Sequence, residues 1–188
     1  RCGAGLVAYN DHPEMVTPGS RDVERKTLVV IFSGLDRPGI VDALSECISA
    51  HGGNWEESRM ARLSDRFAGI LEITVPVSSQ GALSTALNGI NSESLHVRVE
   101  HGGAPGERLQ RRSLHLELTG ADHPGIVSNV SRVLASGVFN IEELHTATTS
   151  APMSGETLFT ASADISCEEA ADVDALLDAL EALADDLV

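Results

Sequence analysis

The chain has 188 residues, with 13 Lys or Arg against 28 Asp or Glu, for a formal net charge of −15. That length allows two compact domains, and a field of that sign opposes direct contact with nucleic-acid phosphates. No apolar run approaches a membrane span, no basic-then-apolar leader is legible, and Cys2, Cys47 and Cys167 are too scattered for a disulfide framework or a zinc site. The expectation is a reduced, cytoplasmic protein.

Residues 1–26 show Gly, Pro and polar residues without clear periodicity and are expected to form an N-terminal extension. Thr27–Ser33 is a short β-branched apolar run, expected as a buried central strand. Gly34-Leu35-Asp36-Arg37-Pro38-Gly39-Ile40-Val41 follows, then an amphipathic helix with Ile40, Leu44, Cys47 and Ile48 on one face, stopping near Gly52-Gly53. Asn54–Leu63 and Arg66–Val75 read as strands around a turn at Ser64-Asp65. Ser79–Leu87 reads as a second helix, and Leu95–Glu100 alternates like a half-exposed strand. The order is β-α-β-β-α-β over residues 27–101.

A Gly- and Pro-containing linker, residues 102–111, leads into a second unit at 112–188, where the order begins again. Leu114, Leu116 and Leu118 alternate with polar residues, and Gly120-Ala121-Asp122-His123-Pro124-Gly125-Ile126-Val127 repeats the first turn 86 positions later. Asn140-Ile141-Glu142-Glu143 repeats Asn54-Trp55-Glu56-Glu57 at the same offset, so the chain is an internal duplication. A helix over Pro124–Ser136, strands over Ile141–Thr149 and Thr157–Ile165 around a loop at Ser150–Gly155, and an acidic helix over Glu168–Asp185 complete the second unit. A counterpart of Leu95–Glu100 is expected to be missing from it.

The repeated turn joins a strand to a helix and has chemistry of its own. Asp36 and Asp122 can cap helix N–H groups, Pro38 and Pro124 suit a first helical turn, and Gly39 and Gly125 would let a ligand approach without a Cβ in the way. Free N–H groups over Ile40-Val41 and Ile126-Val127 favour a carboxylate or other anion. A plain strand-to-helix connection is the competing reading. No nucleophile has a base at a recognisable spacing, and the seven histidines form no H-x-x-x-H. The chain is therefore expected to be non-catalytic, with no metal and no cofactor.

Two β-α-β-β-α-β units, each with a D-x-P-G-I-V turn and an Asn opening its second strand, resemble tandem ACT domains, nearest to the bacterial glycine-cleavage-system repressor type. Ser150-Ala151-Pro152-Met153-Ser154-Gly155 is also familiar from that group. The resemblance implies an α+β fold of two ferredoxin-like units, each an antiparallel sheet with helices on one face. It implies a small amino acid, glycine or serine, held at Asp36, Pro38, Gly39, Ile40, Val41 and Asn54, and at Asp122, Pro124, Gly125, Ile126, Val127 and Asn140. Asp stands where serine-sensing relatives have Asn, and Gly34 or Gly120 where they have His. A protein partner is implied, with no direct nucleic-acid contact and no membrane contact, and the duplicated sheet would also suit a homodimer. The alternatives are a ligand-free interaction module, or the regulatory portion of an enzyme of amino-acid metabolism.

Overall fold

A computed structural model describes residues 3–8, 24–102, 111–150 and 157–185. The chain divides into two compact units, one of Val16–Gly106 and one of Arg1–Met15 with Glu107–Val188. They are called the first and second units below.

The first unit runs β2 (Arg25–Leu35), α1 (Ile40–Ala50), β3 (Asn54–Leu63), β4 (Arg66–Pro76), a short 3-10 turn, α2 (Gln80–Gly89) and β5 (Leu95–His101). Its antiparallel sheet has the order β3-β4-β2-β5. Leu28, Val30 and Phe32 of β2 alternate into a core with Leu71 and Ile73 of β4, Ile40, Leu44 and Ile48 of α1, and Leu83 and Leu87 of α2. Period 2 on the strands and period 3.6 on the helices place these residues on facing surfaces, and their burial drives the packing. The expected buried central strand is central, but it is buried on one face only. Both helices cover the same face, so alternate residues Ile31 and Ile70 remain 37% and 48% exposed on the open side.

The second unit repeats the plan with β6 (Arg111–Ala121), α3 (Ile126–Ser136), β7 (Asn140–Ser150), β8 (Thr157–Glu168) and α4 (Val173–Asp185). Leu114 and Leu116 of β6, Leu134 of α3, Ile165 of β8, and Leu176 and Leu180 of α4 form its core. The last helix starts later than its acidic run suggests. Glu168 still belongs to β8, and Asp172 accepts the Ala175 N–H at 3.0 Å, so it caps the helix that Glu168 and Glu169 precede. The linker and the Ser150–Gly155 loop fall almost wholly outside the described residues.

The strand that the second repeat is expected to lack is supplied from the other end of the chain. β1 (Gly3–Ala8), within what reads as an N-terminal extension, pairs antiparallel with β6 from Gly3↔Thr119 to Ala8↔Leu114. The sheet order is β1-β6-β8-β7, so β1 occupies beside β6 the place that β5 occupies beside β2. An edge strand satisfies backbone groups whichever end of the chain it comes from. A six-residue strand containing two glycines gives almost no periodicity to read.

Candidate functional site

In each unit the repeated turn sits between the central strand and the first helix. Gly39 and Gly125 are the helix N-caps, with φ of 91° and 95°, and neither helix has a side-chain cap. Two sequence expectations change here. Asp36 and Asp122 do not cap their helices, and Pro38 and Pro124 lie before the N-cap rather than in the first turn. Glycine is required at 39 and 125 by its left-handed backbone, and a Cβ at either position would face open space. At Gly34 a Cβ would clash with the Ser94 carbonyl oxygen, so glycine there accommodates the neighbouring backbone.

The Asp backbones are anchored alike. The Asp36 N–H donates to the Asp65 carbonyl at 2.9 Å, and the Asp122 N–H to the Thr157 carbonyl at 2.9 Å. Helix α1 begins with the buried Ile40 and the half-exposed Val41, and α3 with Ile126 and Val127 in the same roles. The N–H groups of those first turns have no acceptor further along their own helix.

The side chains around the two turns differ. Asp36 Oδ2 is 3.2 Å from Arg62 Nε, whereas the Asp122 carboxylate has no side-chain partner among the described residues. Asp42 puts a carboxylate into the first turn of α1, while α3 has no acid there. His123 stands beside Asp122 where the first turn has Arg37. Its Nε2 is buried without a partner among the described residues.

Asn54 and Asn140 are not brought to the turn of their own unit. Asn54 pairs with Thr74 on β4, whereas Leu35, just before Asp36, pairs with Arg66 at the other end of the same strand. Eight strand residues at ~3.3 Å each put the two ends roughly 26 Å apart. Each Asn instead donates its Nδ2 to the Glu two residues on, Asn54 to Glu56 at 3.0 Å and Asn140 to Glu142 at 2.8 Å. The Glu56 carboxyl is held below its usual range, first by the Thr74 hydroxyl and then by Asn54. The candidate site within a unit is therefore the turn and helix start alone.

Sequence reading missed a second polar constellation, on the open face of β6, β8 and β7. His115 Nδ1 lies 2.7 Å from Asp164 Oδ1, its Nε2 lies 3.3 Å from Ser162 Oγ, and Glu117 Oε1 is 3.8 Å away. Hydrogen bonding to Asp164 raises the His115 pKa above its ordinary value. The order Asp–His–Ser is that of a hydrolytic triad. However, β8 is paired on both sides, so backbone N–H groups around Ser162 are spent on the ladders rather than offered to an oxyanion. The available signal was H-x-E at strand period, which sets His115 and Glu117 on one face.

Residues 26–100 match the family model described as the ACT domain. The first unit is an ACT domain. The second unit carries the same turn on the same strand-and-helix plan. Over 119 residues the chain is 27% identical to the glycine cleavage system transcriptional repressor of Escherichia coli (strain K12), and equally to that of Shigella flexneri, covering 62% of this chain. The aligned part spans 62% of the length of those curated relatives. A crystal structure of a protein of unknown function from Galdieria sulphuraria superposes with a TM-score of 0.73 and 30% identity, covering 87% of this chain and 94% of that one. Another, provisionally assigned as a glycine cleavage system repressor, has a TM-score of 0.62 at 18% identity, covering 87% and 93%, and supports the fold. Among the described residues no helix is long and apolar enough to cross a membrane.

Proposed function

We propose that this chain is a non-catalytic regulatory protein that binds a small amino acid, glycine or serine, at an ACT turn and acts through a protein partner. The observation that carries this reading is the Asp122 turn. An acidic side chain without a partner among the described residues stands one turn before a helix start that has no neighbouring acid and whose first N–H, that of Ile126, makes only a long 3.4 Å bond to the His123 carbonyl. Asp122 can pair with an ammonium while the Val127 N–H receives a carboxylate, joined by the Ile126 N–H once it leaves the His123 carbonyl. The two charged groups of a free amino acid have that complementarity. At the first turn an ammonium must displace Arg62, and a carboxylate must tolerate Asp42. The second unit is therefore the stronger binder.

The curated relatives are named as transcriptional repressors of glycine cleavage, which supports a role in regulating amino-acid metabolism. The net charge of −15 opposes direct contact with DNA, so control through a protein is the route that suits this chain. Ligand binding would regulate only by favouring one arrangement of the protein over another.

Isothermal titration calorimetry of the full chain with glycine and with serine tests the reading. Saturable heat that Asp122→Ala abolishes and Asp36→Ala largely preserves is expected. Absence of heat with every small amino acid, in folded protein, would overturn it.

A ligand-free interaction module is favoured by one other observation. The open face of the first sheet exposes Ile31, Leu35, Leu63 and Ile70 by 37–80%. Burying that face between two copies would release the apolar surface from water. Sedimentation showing a stable dimer that Ile31→Lys with Ile70→Lys dissociates, together with no amino-acid binding, would select this alternative.

A further inference from the structure

The corresponding open face of the second sheet carries ligating side chains instead of an apolar patch. Glu117 of β6 and His145 of β7 both lie opposite Ser162 of β8. In the next row, His115 and Glu143 lie opposite Asp164. Two strand spacings separate Glu117 from His145, roughly 10 Å between backbones, a gap that two long side chains can close above a serine. Serine and Thr160 leave the floor low, and an open depression of about 320 Å³ is lined by Glu117, Thr119, His145, Thr160 and Ser162.

Both imidazoles have a carboxylate on one ring nitrogen. Asp164 lies 2.7 Å from His115 Nδ1, and Glu143 lies 2.8 Å from His145 Nε2. A carboxylate on one nitrogen fixes the tautomer and leaves the other nitrogen with a lone pair, which is the usual outer-sphere support of a metal-binding histidine. His115 Nε2 is the nitrogen left, at 3.3 Å from Ser162 Oγ and 3.8 Å from Glu117 Oε1. Two donors bound to one zinc-sized ion at about 2.1 Å each, at a tetrahedral angle, stand about 3.4 Å apart. His115 and Glu117 are therefore within a few tenths of an ångström of sharing an ion.

We propose that His115, Glu117 and His145 form a binding site for a divalent transition-metal cation on the open face of the second sheet. As the side chains stand, no three such donors converge among the described residues. The missing movement belongs to His145, whose side chain is 71% exposed and whose recorded side-chain contact is with Glu143. Turning it across Ser162, at the expense of the Glu143 contact, would carry a ring nitrogen toward the pair formed by His115 and Glu117. Imidazole donors select Zn²⁺, Ni²⁺ or Cu²⁺ over Mg²⁺ or Ca²⁺. The same row of the first sheet holds Ile31, Ile70 and Arg59, which cannot ligate.

Calorimetric titration of the metal-free full chain with Zn²⁺ and Ni²⁺, with Mg²⁺ as control, tests the proposal, and circular dichroism verifies each variant's fold. One Zn²⁺ or Ni²⁺ per chain is expected, with no saturable heat from Mg²⁺. His115→Ala and His145→Ala should each weaken binding at least tenfold. Asp164→Asn, which leaves all three ligands in place, should weaken it about ten- to a hundredfold. Affinity should fall as pH drops and protons compete for the imidazoles. Absence of saturable binding would overturn the proposal. So would binding that survives both His variants or is lost only in Cys47→Ser or Cys167→Ser.

Discussion

The two units share a backbone plan and a turn, yet their side chains put volume and charge in different places. In the first core, Phe32, Leu44, Trp55 and Leu71 fill the space beneath α1. At the positions matched by the repeat offset and strand register stand Leu118, Val130, Ile141 and Ala163. All four are smaller, and the second unit retains an apolar cleft under α3 with room for roughly one water-sized group, about 20 Å³. On the open faces the contrast is one of polarity, Ile31 and Ile70 against Glu117 and Ser162. A duplicated fold tolerates this because the backbone ladders and the single helix-covered face do not depend on which apolar residue fills each site.

The largest expected difference lies in the cores. Leu71→Ala removes a side chain that is only 1% exposed and should cost about 2–5 kcal/mol, measured by denaturant unfolding. Val130→Leu grows into the cleft of the second unit and should add roughly 0.8 kcal/mol for the methylene. Enlarging the equivalent Leu44 to Phe should instead cost about 1–3 kcal/mol. Equal effects in both units would erase the packing contrast.

The helix ends sharpen the comparison. After α1 the left-handed residue is Gly52, at φ 69°, whereas the matching residue after α3 is Val138, at φ 62°. A β-branched residue is strained there, so Val138→Gly should stabilise the second unit by about 1 kcal/mol. Thermal unfolding that leaves Val138→Gly at or below the parent would contradict the strain.

The Asp36–Arg62 contact is exposed, with side-chain accessibilities of 69% for Arg62 and 37% for Asp36. Arg62→Ala should therefore shift stability by less than about 1 kcal/mol. Its informative effect is on binding, because freeing Asp36 should add amino-acid heat at the first turn. An unchanged titration would mean that Arg62 is not what separates the two turns.

The smallest expected effect concerns pH and has opposite signs in the two units. His115 has a raised pKa, so its stabilising contribution is complete below the unfolded value of 6.5 and fades as pH rises through the higher folded value. Glu56 has a lowered pKa, so its contribution is present above 4.5 and is lost as pH falls through the lower folded value. Stability–pH profiles of Asp164→Asn and Thr74→Val should lose the first and second of these slopes respectively.

The repeat, the element order and the α+β class were legible because the local signals agreed with one another. Alternation in β6, the 3.6-residue spacing of Ile40, Leu44 and Ile48, and glycine before α1 and α3 all pointed to one arrangement. The turn was legible as a motif, but its chemistry was not. That Asp36 meets Arg62 depends on β3 returning beside β4, and that Asn54 lies far from its own turn depends on strand register.

What the sequence alone determined was the duplication, the helix-start turns and the apolar faces, since each rests on spacing within one element or on identity between two copies. The tertiary structure decided which strand completes the second sheet, which turn keeps an aspartate without a side-chain partner among the described residues, and that His115, Ser162 and Asp164 meet. Those outcomes come from hydrogen-bond ladders joining residues 47 to 49 positions apart in His115–Ser162 and His115–Asp164, and still further apart where β1 meets β6. Local propensity carries no information over such distances, because the partners are chosen by whichever strands have unpaired edges once each helix has covered its face.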